Sequence, residues 1–431
     1  MSRFVRSALL TVIFMIFTSG AYAGDNIDIT IDAKVETLGN GLKVILVEDH
    51  SVPVISYQTF FRVGARNERP GITGISHFLE HMMFNGADKY GPKEFDAVLE
   101  ANGGYSNAFT SDDMTAYYED ISSDGLELCV DLDSDRMKSL TLDPKYVVSE
   151  MDVVKEERRL RIDNSVQGQM WEDLDALAFK AHPYKWPVIG WMSDLEAIDR
   201  DDCVEYFRTY YAPNNAILIV AGDFDTKEAL RLIHEYYDDI PAQEPPAPVR
   251  TVEPEQMGER RGIVNKKAEL PAVFIAYHTP AIGSEDVYVL DVLQKILTGG
   301  NSSRLYRELV REREAAISVT TSFPWRVDPY LFEFNVKMKP GHETAEAEEA
   351  IYAALADIAE NGVTEEELAR AKNVLEADFV RSMQTVNGRA TKIGRYEILF
   401  GDYTEITRVP GRYRAVTGDE IKAVAGKYFN N

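Results

Sequence analysis

The chain has 431 residues, 45% of them hydrophobic and 27% charged, so it can build large cores and lacks the composition of a disordered protein. Its 46 Lys and Arg against 71 Asp and Glu give a formal net charge of -25, which argues against a nucleic-acid partner because the charges repel. Cys129 and Cys203 are too few for a disulfide framework. An oxidising compartment permits one bridge between them, and we expect buried thiols.

The first 23 residues have the layout of a secretory signal. Arg3 and Arg6 precede an apolar run, Ala8 to Phe17, and small residues follow it. The run is too short to span a bilayer, and no later stretch approaches the roughly 20 apolar residues of a membrane helix. We therefore expect a signal peptide at 1–23 and an exported chain without a membrane span, in the periplasm if the source is Gram-negative.

Residues 24–240 are predicted to form one domain of mixed strands and helices. Alternating or β-branched apolar runs bounded by turn residues predict the strands, and helical periodicity with Pro and Gly boundaries predicts the helices. The predicted strands are Val35–Leu38, Leu42–Val47, Val54–Val63, Tyr105–Thr110, Thr115–Ile121 and Ala216–Ala221, and the predicted helices are Ile75–Phe84, Pro92–Asn102 and most of 122–179.

Residues 241–257 are proline-rich and are predicted to be a linker, because proline blocks regular helix and sheet. Beyond it the order of strands and helices recurs over 258–431, which predicts a second, homologous domain. The last residues of the chain resemble Cys203–Asn215, which precedes a predicted strand in the first half. Either the second domain lacks that strand or the chain is truncated. The fold class expected is α+β, with two domains of mainly antiparallel sheet packed with helices.

The segment His77-Phe78-Leu79-Glu80-His81 carries the strongest chemical signal. On a helix, His77 and His81 lie one turn apart and present two imidazoles from one face, which suits a zinc ion. Glu80 lies beside that face, where a carboxylate can take a proton from water without binding the metal. The alternative is a helix with two partly exposed histidines and no metal. A catalytic zinc site requires a third protein ligand from elsewhere.

His-x-x-Glu-His, with its flanks Gly71 to Gly86, resembles the pitrilysin and insulysin family of zinc metallopeptidases, which includes mitochondrial processing peptidase. In that family a Glu about 76 residues after the second His is the third ligand, and here that position is Glu157. The resemblance implies a supporting role for Glu150, for which a solvated helix carboxylate is the alternative. Glu156 is the neighbouring candidate, but it points away from the aligned helix face.

The stretch Gly103 to Ile121 resembles the family segment in which an edge strand accepts the substrate as an added strand. The resemblance implies that Asn107, Ala108 and Phe109 contact the bound peptide through main-chain pairing and side-chain pockets. An ordinary internal hairpin explains the same residues equally well.

The second half shows no metal motif, since Asp291, Gln294 and Lys295 fall where His77, Glu80 and His81 lie in the first half. This agrees with the family, in which one domain of the repeat keeps zinc and four domains close as a clamshell. Full-length relatives add an Arg and a Tyr from the fourth domain. Arg326 and Tyr330 do not match their spacing, so we do not assign them that role.

The resemblance therefore implies a zinc endopeptidase with one Zn²⁺ per chain that cleaves peptides or unfolded segments inside a clamshell chamber. A chain with two of the four domains is expected to be the catalytic subunit of a heterodimer, whose second half-length subunit supplies the Arg and Tyr, or else to form a homodimer. The alternatives are a non-catalytic peptide-binding or assembly subunit of the same fold and another zinc hydrolase with a small substrate.

Overall fold

A computed structural model of the protein describes residues 29–430, so the predicted signal peptide lies outside the described residues. The fold class is confirmed as two sheets packed with helices. The strands are β1 Lys34–Thr37, β2 Lys43–Glu48, β3 Val54–Phe61, β4 Tyr105–Thr110, β5 Thr115–Ser122, β6 Ala216–Gly222, β7 Ala272–Thr279, β8 Ala316–Ser322 and β9 Tyr330–Met338. The helices are α1 Ile75–Met82, α2 Glu94–Ala101, α3 Leu126–Ser139, α4 Pro144–Arg158, α5 Val166–Ala178, α6 Met192–Leu195, α7 Arg200–Tyr210, α8 Thr226–Tyr237, α9 Asp286–Thr298, α10 Thr344–Asn361, α11 Glu365–Ser382, α12 Val386–Phe400, α13 Val409–Ala415 and α14 Gly418–Tyr428.

The first sheet has six strands in the order β1-β2-β6-β3-β5-β4. Its neighbours pair antiparallel except β2 and β6, which pair parallel. Because successive residues of a strand point to opposite faces, the sheet has two apolar faces. We call the one that packs against α1, α3 and α8 the front face, and the other the back face. Tyr57, Tyr117 and Leu218 lie in the front core, whereas Phe60, Ala116 and Ile217 lie in the back core.

Residues 241–271 contain neither helix nor strand, in keeping with the proline content of 241–257. The second sheet has three strands in the order β7-β9-β8, all antiparallel, and packs with the helices of the second half around its own core. Within the described residues α14 is the last element, and no strand follows it. The domain boundaries themselves stay a prediction.

Helix α12 belongs to the second half of the chain but covers the back face of the first sheet. Ala390 and Ile393 of this helix are buried in the same core as Phe60 and Ile217. The approach is close, because a Cβ on Gly394 would lie 2.2 Å from the Phe60 ring, a distance that real contacts do not show. The two halves therefore share a core in addition to the linker between them.

This contact predicts the effect of a methyl group at Gly394. Alanine normally stabilises a helix interior by about 1 kcal/mol relative to glycine, but Gly394→Ala must displace Phe60 and should lower the free energy of unfolding by about 1–3 kcal/mol. Gly426→Ala in α14 is the matched control, because its Cβ would meet no atom within 4 Å, and it should not destabilise the chain. Urea unfolding followed by circular dichroism compares the two. Equal stability of the two variants would contradict the close packing.

The part of the chain that the structure describes contains no helix long and apolar enough to cross a membrane. Cys129 and Cys203 are both buried free thiols, as the sequence predicts. Burial raises the pKa of Cys203 to about 12, so this thiol stays protonated.

Candidate metal centre

Helix α1 carries the motif histidines, and its first residues are fixed by contacts with other parts of the chain. Its first N–H groups are held by Glu68, whose carboxylate accepts from the N–H of Gly74 at 2.8 Å and of Ser76 at 2.9 Å. Gly74 has a φ of 89°, and a Cβ there would lie 2.4 Å from the Ile189 carbonyl oxygen, so the position requires glycine. The start of α1 is therefore fixed by a buried carboxylate and by a close backbone contact.

Three side chains converge at the front of the first sheet. His77 and His81 extend from α1 with ring centroids 4.9 Å apart, and Glu157 extends from α4. Glu157 Oε2 lies 3.7 Å from His77 Nε2 and 3.4 Å from His81 Nε2. One donor atom from each residue falls within 4.8 Å of the others, and among the described residues this is the group of His, Cys, Asp and Glu side chains that could hold a metal ion.

The donor set fits zinc. With metal–ligand bonds of about 2.0–2.1 Å, the donors of a tetrahedral zinc site lie about 3.3 Å apart, close to the separations seen from Glu157 to the two imidazoles. The outward nitrogen of His81, Nδ1, lies 2.8 Å from Glu150 Oε1, so Nε2 is left to face His77 and Glu157. Glu150 is thus in contact with the site rather than free in solvent. Three protein donors also leave a fourth position for water or substrate.

Glu80 lies next to the three donors and outside the group. It is half-buried, and its carboxylate accepts a hydrogen bond from the Thr110 hydroxyl at the end of β4. This contact joins the helix of the motif to the edge strand of the sheet. Glu156, the alternative third ligand, is 72% exposed and pairs with Arg159, so the structure does not bring it to the site.

The charges of these residues depend on one another. Burial lowers the pKa of His77 to about 4 and raises that of Glu80. Burial also disfavours the charged form of His81, but hydrogen bonds to Glu150 and Glu157 outweigh it and raise its pKa to about 9. The same hydrogen bonds from His81 lower the pKa of Glu150 and Glu157. Without a metal, His81 therefore serves as the cation between the two carboxylates.

Two contacts at the site were not predicted from the sequence. Arg161 Nη2 lies 2.9 Å from Glu157 Oε1, the oxygen that does not face the histidines. The spacing of four residues was the available signal, since such pairs meet on a helix. Thr110 was predicted only as part of a strand, and its hydroxyl contact with Glu80 depends on how α1 packs over β4.

The predicted substrate residues lie on β4, whose outer edge pairs with no other described strand. The Asn107 side chain accepts from the N–H of Ala108 at 2.8 Å and donates to the Tyr105 hydroxyl at 2.9 Å. Ala108 packs toward the front core and Phe109 toward the back core. The structure therefore places the three residues along an open edge near Glu80, and their contact with a peptide stays a prediction.

The corresponding region of the second half has different chemistry. Asp291 is buried and accepts from Tyr413 and Trp325, whereas Lys295 pairs with Asp378. Gln294 donates to the backbone of β8. These residues satisfy one another by hydrogen bonds and ion pairs, so the position that corresponds to the motif is structural.

Arg326 and Tyr330 lie between the two halves of the chain. Arg326 pairs with Asp112 at 2.6 Å, and the Tyr330 hydroxyl donates to Asp175 at 3.0 Å. Both side chains form contacts between the two halves of the chain. This agrees with the sequence, in which their spacing gives them no substrate role.

Comparison with known proteins places this arrangement in a family. Residues 43–190 match the family model described as insulinase, peptidase family M16, and residues 197–375 match the model described as the peptidase M16 inactive domain. A zinc protease of Helicobacter pylori, PqqE, is 31% identical over 400 residues, which cover 92% of this chain and 90% of that protein. The chain belongs to peptidase family M16. The resemblance seen in the sequence, to the pitrilysin and insulysin peptidases, is confirmed.

Other M16 proteins share the whole fold. A crystal structure of a protease from Helicobacter pylori superposes with a TM-score of 0.89 at 30% identity and covers 92% of this chain and 96% of that one. A peptidase M16 inactive domain from Pseudomonas fluorescens gives a TM-score of 0.82 at 17% identity, over 93% and 95% of the two chains, which shows the fold alone. The β subunit of the mitochondrial-processing peptidase of Lentinula edodes is 25% identical over 92% of this chain and 87% of its own.

Proposed function

We propose that this M16 protein is a zinc-dependent endopeptidase. The observation that carries the proposal is the convergence of His77 Nε2, His81 Nε2 and Glu157 Oε2 on one point, with Glu80 beside them and outside the donor set. In this proposal His77, His81 and Glu157 hold the ion, and Glu150 holds the imidazole of His81 in its orientation. Zinc in such a site polarises the scissile carbonyl and makes water acidic enough to attack near neutral pH.

In this proposal Glu80 transfers the protons of the reaction. Its carboxylate takes a proton from the attacking water and delivers it to the nitrogen of the leaving amine, so that one group acts first as base and then as acid. The Thr110 hydroxyl donates to this carboxylate and fixes its position relative to β4. Because Thr110 also ends the edge strand, a peptide paired along β4 would bring its backbone past Glu80.

The substrate in this proposal is an extended peptide or unfolded segment. Main-chain pairing along β4 holds any sequence, with Asn107, Ala108 and Phe109 along the paired edge. The Asn107 side chain, which occupies the N–H of Ala108, must turn away before a peptide can bind there. This requirement gives Asn107 a role in admitting the substrate.

The chamber requires a second chain. M16 domains close around a substrate in fours, and this chain supplies two, so we propose a half-length partner subunit of the same family, or a second copy of this chain, as the other wall. The signal pattern at 1–23 supports the further proposal that both act after export, in the periplasm of a Gram-negative cell.

A non-catalytic subunit that binds peptides is the second candidate, because residues 197–375 match a family model described as inactive. Cleavage of a quenched fluorescent peptide library by the chain from Gly24 onward, alone and with a half-length M16 partner, separates the two. Cleavage in either sample supports the peptidase. Bound zinc with no cleavage in any pairing would favour the non-catalytic subunit.

Zinc content tests the donor set directly. The purified chain should bind about one zinc per molecule, measured by inductively coupled plasma mass spectrometry after dialysis. His81→Ala and Glu157→Gln should lose most of it, because two protein ligands hold zinc far more weakly than three. His234→Ala is the matched control, since this exposed histidine pairs with Glu36 and Asp238 instead. Full zinc in His81→Ala would show that the ion binds elsewhere.

A further inference from the structure

Helix α12, which covers the back face of the first sheet, carries two neighbouring cations. Lys392 and Arg395 lie one turn apart on α12, and neither has an ion pair or a hydrogen bond with another described residue. The chain has 71 acidic residues against 46 basic ones, so acidic partners are abundant. A cation that has no ion pair within the chain can pair with an anionic group from outside it.

Both side chains are held in place by aromatic rings. The Arg395 guanidinium lies 4.8 Å from the centre of the Phe109 ring, and Lys392 Nζ lies 4.4 Å from the centre of the Phe379 ring. Phe109 is fixed in turn by an edge-to-face contact with Phe60, at 6.1 Å. The Arg395 side chain packs against its neighbours over part of its surface and is exposed over the rest, so it is ordered and accessible at the same time.

The neighbouring charges make the position costly for a cation. Burial and the charge of Arg395 together lower the pKa of Lys392 to about 8, against the opposing effect of the Asp291 carboxylate. Burial and the nearby Arg326 lower the pKa of Arg395. Arg326 itself forms an ion pair with Asp112. An anion placed beside Lys392 and Arg395 would remove this repulsion.

The position of Arg395 relates it to the edge strand. Phe109 is the residue of β4 that points to the back face, between Ala108 and Thr110, which point to the front. A peptide strand added to β4 would alternate in the same way, with one set of side chains toward Glu80 and the other toward Arg395. Side chains on adjacent strands lie about 5 Å apart when they share a face.

We propose that Arg395, assisted by Lys392, binds a carboxylate side chain of the peptide paired along β4, and so selects substrates with Asp or Glu next to the residue that faces Glu80. This proposal rests on the proposed function, because it takes the peptide to lie along β4. The bound group is a side-chain carboxylate rather than a chain terminus, since Phe109 lies within the strand and not beyond its end.

The test compares peptides that differ at one position. A fluorescein-labelled peptide with an amidated C-terminus is made with Gln, Glu or Lys at each position of its central segment. Binding is measured by fluorescence anisotropy on the Glu80→Gln chain, and KM and kcat are measured on the wild-type chain. We expect Glu to bind about tenfold more tightly than Gln at one position, next to the residue that faces Glu80, in Kd and in KM.

Variants of α12 test which residue causes the preference for Glu over Gln. Arg395→Ala should reduce the ratio of Glu to Gln affinity to about one, Lys392→Ala should reduce it partly, and Arg395→Glu should favour the Lys peptide. Arg231→Ala removes the same charge from the exposed surface of α8 and should leave the ratio unchanged. Equal affinity for Glu and Gln in the wild type, an unchanged ratio in Arg395→Ala, or a preference only for peptides with a free C-terminus would overturn the proposal.

The two readouts separate this proposal from the function it rests on. Peptide cleavage without a preference for Glu would overturn the role of Arg395 and leave the peptidase standing. An anisotropy preference that depends on Arg395, with no cleavage, would support the carboxylate site and count against catalysis. Absence of both binding and cleavage, with the chain alone and with a half-length M16 partner, would overturn both.

Discussion

Glu80→Gln should lower the rate of peptide cleavage by about 10²- to 10⁴-fold, the usual contribution of a general acid–base group. Glutamine has the shape of glutamate and can still accept from Thr110, but it cannot take a proton from water. Because Glu80 lies outside the donor set of His77, His81 and Glu157, zinc content should stay at the wild-type value. Cleavage of a quenched peptide and metal analysis on the same samples measure both quantities.

Glu156→Gln is the matched control for this prediction. It removes the same charge from the same surface region, but its side chain is 72% exposed and outside the site, so turnover should be unchanged. A wild-type rate in Glu80→Gln would show that another group moves the proton. Loss of zinc from Glu80→Gln would instead place Glu80 among the ligands and contradict the geometry.

Arg136→Met should lower the free energy of unfolding by about 3–5 kcal/mol, the usual cost of breaking a buried charge network on one side. Arg136 is fully buried between Asp133 and Glu119, with its nitrogens 2.5 and 2.7 Å from their carboxylate oxygens. The guanidinium also lies over the rings of Phe95 and Tyr117. Methionine fills much of the space but leaves two carboxylates without a cation.

Urea unfolding with Arg231→Ala as the control tests this prediction. Arg231 pairs with exposed acids, so its loss should cost less than about 1 kcal/mol. At lower pH the free energies of unfolding of Arg136→Met and the wild type should differ less, because protonation removes the negative charges of Asp133 and Glu119 that the variant leaves unpaired. If Arg136→Met lowers the free energy of unfolding by less than Arg231→Ala does, the buried carboxylates are already neutral in the native chain.

Much of the secondary structure of the first domain can be predicted from the sequence, because the patterns that indicate it are local. The Asn40–Gly41 turn separates β1 from β2, and β4 has the predicted bounds. The i,i+4 spacing of His77 and His81 places both imidazoles on one face of α1 whatever the tertiary fold. The pairing of these with Glu157 came from resemblance to a family, since no local pattern relates residues so far apart in the chain.

The remaining contacts depend on tertiary packing that local periodicity does not encode. The apolar stripe of α12 predicts a buried face but does not say that it covers β3 and β6 of the other half. The contact of Arg395 with Phe109 follows only from that packing. Likewise, Glu68 reads as an ordinary charged residue until the start of α1 is placed over it.

The late position of α12 in the chain has a consequence for the order in which the protein is made. The first sheet is complete once β6 has emerged from the ribosome, but α12 follows only about 170 residues later, which takes about 10–30 s at usual synthesis rates. During that interval the back face, with Phe60, Ile217 and Ile219, lacks the cover that α12 later provides. At this stage the nascent chain exposes an apolar sheet surface, and a chaperone can bind it there.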